Sequence, residues 1–98
     1  MDTFQKIVHD SKPVLIDFFA EWCGPCKMMP PILSQLKEKM GDSIRILKID
    51  VDKNPNMADR YQVRGVPTLV LMQKGKIVWR ESGIIDVNTL HQHIKNKL

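Results

Sequence analysis

The apolar positions along this chain change period several times, and each change marks an element. In "DTFQKIVHD", Phe4, Ile7 and Val8 fall at helical spacing, with Asp2 or Thr3 placed to cap the first turn. Lys12-Pro13 ends that helix, because the residue before a proline avoids the helical region. "PVLIDFFA", over 13–20, is apolar and β-branched at successive positions, which predicts a central strand covered on both faces. From Pro25 to Met40 the helical period returns through Met28, Met29, Ile32, Leu33, Leu36 and Met40, and Gly41 supplies the stop. A kink is expected in this helix, since Pro30 and Pro31 have no N–H to offer the carbonyls of Cys26 and Lys27.

"IRILKIDV", over 44–51, predicts a second strand, and Asn54 with Pro55 caps and opens a short helix over 55–61. Two further strands, 68–72 and 76–82, flank Lys74-Gly75 and predict a hairpin, with glycine making the turn. Asp86 caps a last helix that carries Val87, Leu90, His91 and Ile94 on one side. The order α-β-α-β-α-β-β-α predicts parallel neighbours joined by right-handed crossovers, plus antiparallel strands from the hairpin. The expected class is α/β: a mixed central sheet of about four strands flanked by helices on both faces. At 98 residues the chain is expected to be a single domain, 1–98.

Composition narrows the function. The chain is 43% hydrophobic and 27% charged, the balance of an ordinary globular domain. Its formal charge of +4, from 15 basic against 11 acidic residues, is scattered over pairs such as Lys37/Lys39, Lys74/Lys76 and Lys95/Lys97. No aromatic residue interleaves them, so nucleic-acid binding is not expected. The N-terminus lacks the basic-then-apolar pattern of a secretory signal. The longest apolar run is broken by Asp17 and is far too short for a membrane span. A cytoplasmic, reducing location is therefore expected, where a cysteine pair is more often catalytic or metal-binding than structural.

The chain's two cysteines stand in "EWCGPCK", at Cys23 and Cys26. Cys23 follows the central strand and precedes the helix, where free N–H groups stabilise a thiolate and lower its pKa. Pro25 suits the first helical turn, and that turn brings Cys26 back within disulfide reach of Cys23. A ring this short removes little chain entropy, which argues against a staple. A closed zinc site would need two more ligands, and His9, His91 and His93 form no ligand pattern. Haem attachment fails because Lys27, not histidine, follows Cys26. Reversible thiol–disulfide exchange remains, with Cys23 attacking and Cys26 resolving the mixed disulfide.

Cys26 must lose a proton for that second step. Asp17, in the apolar run "VLIDFFA", is a candidate acceptor, because burial raises a carboxyl pKa toward neutrality. The run alone leaves open whether Asp17 is instead a satisfied buried polar group. Alternation in "IRILKIDV" puts Lys48 on the side of Ile44 and Ile46, from where it could partner Asp17; a snorkelling surface lysine fits equally.

"DFFAEWCGPCK", "KIDVD" and "RGVPT" together resemble the thioredoxin family across essentially the whole chain. The resemblance implies the thioredoxin fold, with the first strand usual in the family missing or vestigial and strand 44–51 at or near the sheet edge. It implies that Cys23 is the exposed nucleophile, Cys26 the buried resolving thiol, and Gly24-Pro25 the dipeptide that tunes redox potential. It also implies that Asp17 is the proton acceptor, with Lys48 as its partner, and that Pro67 is a cis-proline beside the sulfurs. Trp22, Gly65, Val66 and Gly83 would then form the apolar substrate surface. Phe19 departs from the tryptophan of many relatives, and Pro30 is an extra proline before the kink-forming Pro31.

The implied function is reduction of protein disulfides by a monomeric carrier with no cofactor, serving electron transport and redox homeostasis. Thioredoxin reductase, a flavoprotein using NADPH, would regenerate it. Ribonucleotide reductase, methionine sulfoxide reductase and peroxiredoxins would be its clients. Two rivals share the fold: a disulfide oxidase or isomerase, which usually carries histidine in the dipeptide, and a structural subunit of another complex.

Overall fold

Strand β1 (Val14–Phe19) takes the centre because its side chains avoid water on both faces: Val14, Leu15, Ile16, Asp17 and Phe18 are all buried. Around it the computed structural model, which describes residues 3–98, places α1 (Thr3–His9), α2 (Met29–Met40), β2 (Arg45–Asp50), α3 (Pro55–Arg60), β3 (Thr68–Gln73), β4 (Lys76–Ser82) and α4 (Val87–Lys97). The strands form one sheet in the order β2-β1-β3-β4, the thioredoxin-like mixed architecture expected. Alternation sorts the core. Leu15, Leu69 and Leu71 meet α2 and α4 through Met29, Leu33, Leu36, Leu90 and Ile94. On the other face Ile16, Phe18 and Val70 meet Val8 of α1 and Tyr61, which follows α3.

The strand directions correct one expectation. β1 and β2 are parallel, but β3, despite the intervening helix, runs antiparallel to β1. The connection explains it: Asp50 ends β2 opposite Phe19, and Thr68 starts β3 opposite Phe18. Residues 51–67 thus stay at one end of the sheet, and the chain turns back without crossing it. β2 is an edge strand, as expected, paired among the described residues with β1 alone.

The helix expected over 25–40 is two pieces. Pro25–Met28 is a 3₁₀ turn, and α2 begins only at Met29. Pro30 has no N–H for the Cys26 carbonyl, which instead accepts from the nearer N–H of Met29. The prolines therefore lie in the first turn of α2, where a missing N–H costs little, rather than in a helix interior. Pro30 thereby gains a structural account: it tightens the turn that carries Cys26.

Two capping expectations change. Thr3 is itself helical, which removes it as the cap of α1, and the other candidate, Asp2, lies outside the described residues. Asn54 precedes α3, but its side chain turns back to the Asp50 carbonyl at 3.0 Å and does not cap. Asp86 does cap α4, accepting from the Thr89 N–H at 2.9 Å. The hairpin turn is also as expected, with Lys74 and Gly75 both at positive φ. Their N–H groups donate to the Asp10 and Val8 carbonyls at 3.0 and 2.8 Å, so the turn docks on the end of α1. The approach is close: a Cβ on Gly75 would lie 2.6 Å from the His9 ring.

Gly41 ends α2 at φ +56 and ψ −132, a region open in practice to glycine alone. Among the described residues, no atom beyond its chain neighbours stands within 4 Å of an added Cβ, so the penalty for a side chain is conformational. Gly41→Ala is expected to cost about 1–3 kcal/mol. A urea unfolding midpoint equal to wild type at unchanged slope would refute it.

Candidate active site

The end of β1 delivers a short loop, Ala20 to Gly24, into the 3₁₀ turn, and this brings Cys23 and Cys26 together. They are joined as a disulfide, with Cα atoms 5.3 Å apart. Cys23 Sγ accepts the Cys26 backbone N–H at 3.1 Å and lies 3.6 Å from the Val66 carbonyl oxygen. An N–H aimed at sulfur stabilises a thiolate, and it comes from the tight 3₁₀ turn itself.

Cys23 is less open than expected. It is 3% exposed, no more than Cys26 at 6%, because Ala20, Phe19 and Val66 pack around the pair. What stands open is its neighbour: Trp22 is 72% exposed, with its indole Nε1 donating to Asp52 Oδ2 at 2.8 Å. Trp22, Gly65 and Val66 line a shallow groove of about 130 Å³ with Val51, Val63 and Arg64.

The Val66–Pro67 bond is cis, and the loop carrying it is tied down. Thr68, fully buried, bonds the Gly65 carbonyl at 2.7 Å and shares a 2.8 Å hydroxyl contact with Ser82. Gly83 does not line the groove; its N–H donates to the Pro67 carbonyl at 2.8 Å. Beside it Ile84 is 46% exposed, an apolar side chain that helical and strand periodicity did not single out.

Asp17 projects from β1 toward α2, on the face of Leu15, and is 2% exposed. Its Oδ1 has no hydrogen-bond partner among the described residues. Burial pushes its pKa from 3.8 up to about 6, against a smaller opposing pull from the Lys48 ammonium. Asp17 and Cys26 share a cleft of about 320 Å³, which Phe19, Lys48 and Pro30 also line. Lys48 stands directly opposite Asp17 in the β1–β2 register, yet it is exposed. Among the described residues it makes no ion pair with Asp17. The expected partnership is thus a field across the cleft, because the long lysine stem carries its charge out to water.

The histidines do not join this site: His9 lies against Gly75, and His93 stacks on Trp79 with ring centroids 5.4 Å apart. Among the described residues no three His, Cys, Asp or Glu side chains are grouped to hold a metal.

The thioredoxin family profile matches residues 1–96. The chain belongs to the thioredoxin family. A thioredoxin of Acidithiobacillus ferridurans is 41% identical over 99% of this chain and 91% of its own length. Thioredoxin Y, chloroplastic, of Oryza sativa is 43% identical over 98% of this chain. The chain spans only 58% of that rice protein and 59% of the similar Arabidopsis thaliana thioredoxin Y2. A mutant thioredoxin from Halobacterium salinarum superposes with a TM-score of 0.86 at 40% identity, covering 96% of this chain and 81% of that one. Cys23 and Cys26 occupy the family's active-site position.

Two residues that hold the loops around Cys23 escaped the sequence reading, Asp52 and Thr68. Both lie inside quoted motifs, "KIDVD" and "RGVPT", but only the folded loops reveal what each one holds.

A buried acid whose pKa is raised keeps its proton more tightly folded than unfolded. Stability then falls as pH climbs from near 4 through about 6, and the full penalty remains above that. At about 1.4 kcal/mol per pH unit, the penalty is on the order of 2–3 kcal/mol. Asp17→Asn is therefore expected to stabilise the disulfide form at pH 8 by about that amount, with the gain shrinking toward pH 4. Urea titrations at the two pH values test this, and a gain independent of pH would remove the raised pKa.

Proposed function

We propose that this protein reduces disulfides in other proteins by dithiol–disulfide exchange. The observation that carries the reading is the placement of Cys23 Sγ between an N–H donor and the Val66 carbonyl, beside the Trp22 groove. In the reduced form the Cys23 thiolate attacks one sulfur of the client disulfide. That S–S bond breaks, and the departing client sulfur takes a proton. Cys26 then gives up its proton, attacks Cys23 Sγ and frees the second client thiol. Two electrons pass to the client, and the Cys23–Cys26 disulfide is left behind.

Asp17 is the proton acceptor in this reading. Its pKa of about 6 keeps it mostly ionised at neutral pH, and it shares its cleft with Cys26. Lys48 sets the field in that cleft. Gly24 and Pro25 shape the 3₁₀ turn that tunes the potential. Trp22, Gly65, Val66 and Pro67 receive an extended client segment, and the Val66–Pro67 backbone offers hydrogen bonds to it as an added strand would. Gly83 supports that edge by holding the Pro67 carbonyl.

Regeneration falls to a thioredoxin reductase drawing on NADPH, and disulfide-forming enzymes such as peroxiredoxins, methionine sulfoxide reductase and ribonucleotide reductase are fitting clients. A reducing compartment is required; the bacterial relatives fit a cytoplasm, and the plant relatives are named as chloroplastic. No described helix is long and apolar enough to cross a membrane.

Cys23→Ser is expected to abolish reduction of a disulfide-bonded test protein. Cys26→Ser should instead accumulate a mixed disulfide, seen as a reducible mass increase on a gel. Turnover by Cys26→Ser at the wild-type rate would reject the two-thiol mechanism. Separately, Asp17→Asn should slow the resolving step by roughly 10²-fold, the lower end of general-base effects. Stopped-flow traces of mixed-disulfide decay from about pH 6 to 9 decide this, since that range spans the carboxyl and thiol titrations. Identical traces would strip Asp17 of the role.

A further inference from the structure

A second cleft, of about 370 Å³, lies between α2 and the sheet edge and is unlike the first in its charge. Lys12, Lys37, Arg45 and Lys48 line it, and no carboxylate does. Its apolar part is Leu33, Ile44 and Ile46. Among the described residues the ion pairs are Lys53–Glu21 and Arg64–Asp59, so none of the four lining cations is neutralised by one. Lys37 is held in place instead by donating to the Ile44 carbonyl. Asp10 is the acid that senses Arg45, but it does not line the cleft.

Beside these cations runs β2, which pairs with β1 alone and leaves its outer backbone groups without a strand partner among the described residues. Such an edge is a template for an added strand. An extended segment rises about 3.3 Å per residue and sends alternate side chains to opposite faces. Only every second side chain would then face the cleft, because Ile46 and Lys48 lie on the same face of β2. A segment mixing carboxylates with apolar residues at those positions would meet both the lining cations and Leu33 and Ile46. No aromatic side chain lines the cleft to stack a base, which disfavours nucleic acid. A small inorganic anion would leave the apolar floor uncovered.

We propose that the cleft between α2 and the open edge of β2 docks an acidic, extended segment of a partner protein. The site shares Lys48 and Pro30 with the Asp17–Cys26 cleft, so a docked segment reaches the margin of the redox centre. It goes beyond the reductase reading and does not depend on it.

Fluorescence anisotropy tests the proposal, in low and raised salt, with a labelled peptide whose every second position carries glutamate and valine in turn, with threonine between them. Wild-type protein should bind it, and binding should weaken with salt as exposed charges are screened. Lys12→Glu with Arg45→Glu should weaken binding at least tenfold while leaving reduction of a disulfide-bonded test protein unchanged. Should that variant fail to fold, Lys12→Gln with Arg45→Gln should weaken binding in the same direction. Amide resonances of Arg45 to Ile49 should shift on peptide addition. Affinity unaffected by either double variant overturns the proposal. Tighter binding of tripolyphosphate or of a single-stranded oligonucleotide overturns it too, as do amide shifts confined to the Trp22 groove.

Discussion

Everything in this molecule depends on the double burial of β1. A strand with no face toward water needs backbone partners on both edges and apolar cover on both faces. β2 and β3 supply the partners, and α2 with α4 and α1 with the Tyr61 region supply the cover. The same strand carries Asp17 into the interior, where burial makes a carboxyl hold its proton to higher pH than in water, and ends one turn before Cys23. A stabilising element thus also sets the two chemical ingredients at fixed separation. The destabilising part is Asp17 Oδ1, which is buried without a hydrogen-bond partner among the described residues.

The elements were legible where periodicity was strong. The apolar run of β1, the stripe of α2 through Leu33 and Leu36, and the Lys74-Gly75 turn all carry signals within a few residues. The direction of β3 was not legible, because a helix between two strands is compatible with either sense. Only the position of Thr68 opposite Phe18 fixes it. The start of α2 was missed for a related reason: prolines at 30 and 31 break a helix interior but fit a first turn, and spacing does not distinguish the two.

At the site, the cysteine chemistry was legible because Cys23, Gly24, Pro25 and Cys26 are contiguous. The rest depends on residues far apart in sequence. Alternation put Lys48 on the side of Ile44 and Ile46, and the β1–β2 register sets it opposite Asp17. It did not place the lysine ammonium, whose stem is long enough to reach water. Nor could pattern anticipate that Cys23 is covered while Trp22 beside it is bare, since exposure there is set by loops from three strands.

The hydrogen bond between Trp22 and Asp52 has a consequence for recognition. Asp50 folds the turn after β2 by accepting the Asp52 N–H at 2.9 Å, and Lys53 from that turn reaches Glu21 at 3.4 Å. Two loops that leave adjacent parallel strands are thus sewn into one lip, with the indole as its rim. A loose lip would have to surrender conformational freedom each time a client arrived, at about 0.5–1.5 kcal/mol for every large side chain immobilised. Here that entropy is already spent in the folding of the free protein. Under the proposed function, clients of unrelated sequence can then share a single surface, because the surface does not have to be rebuilt for any of them.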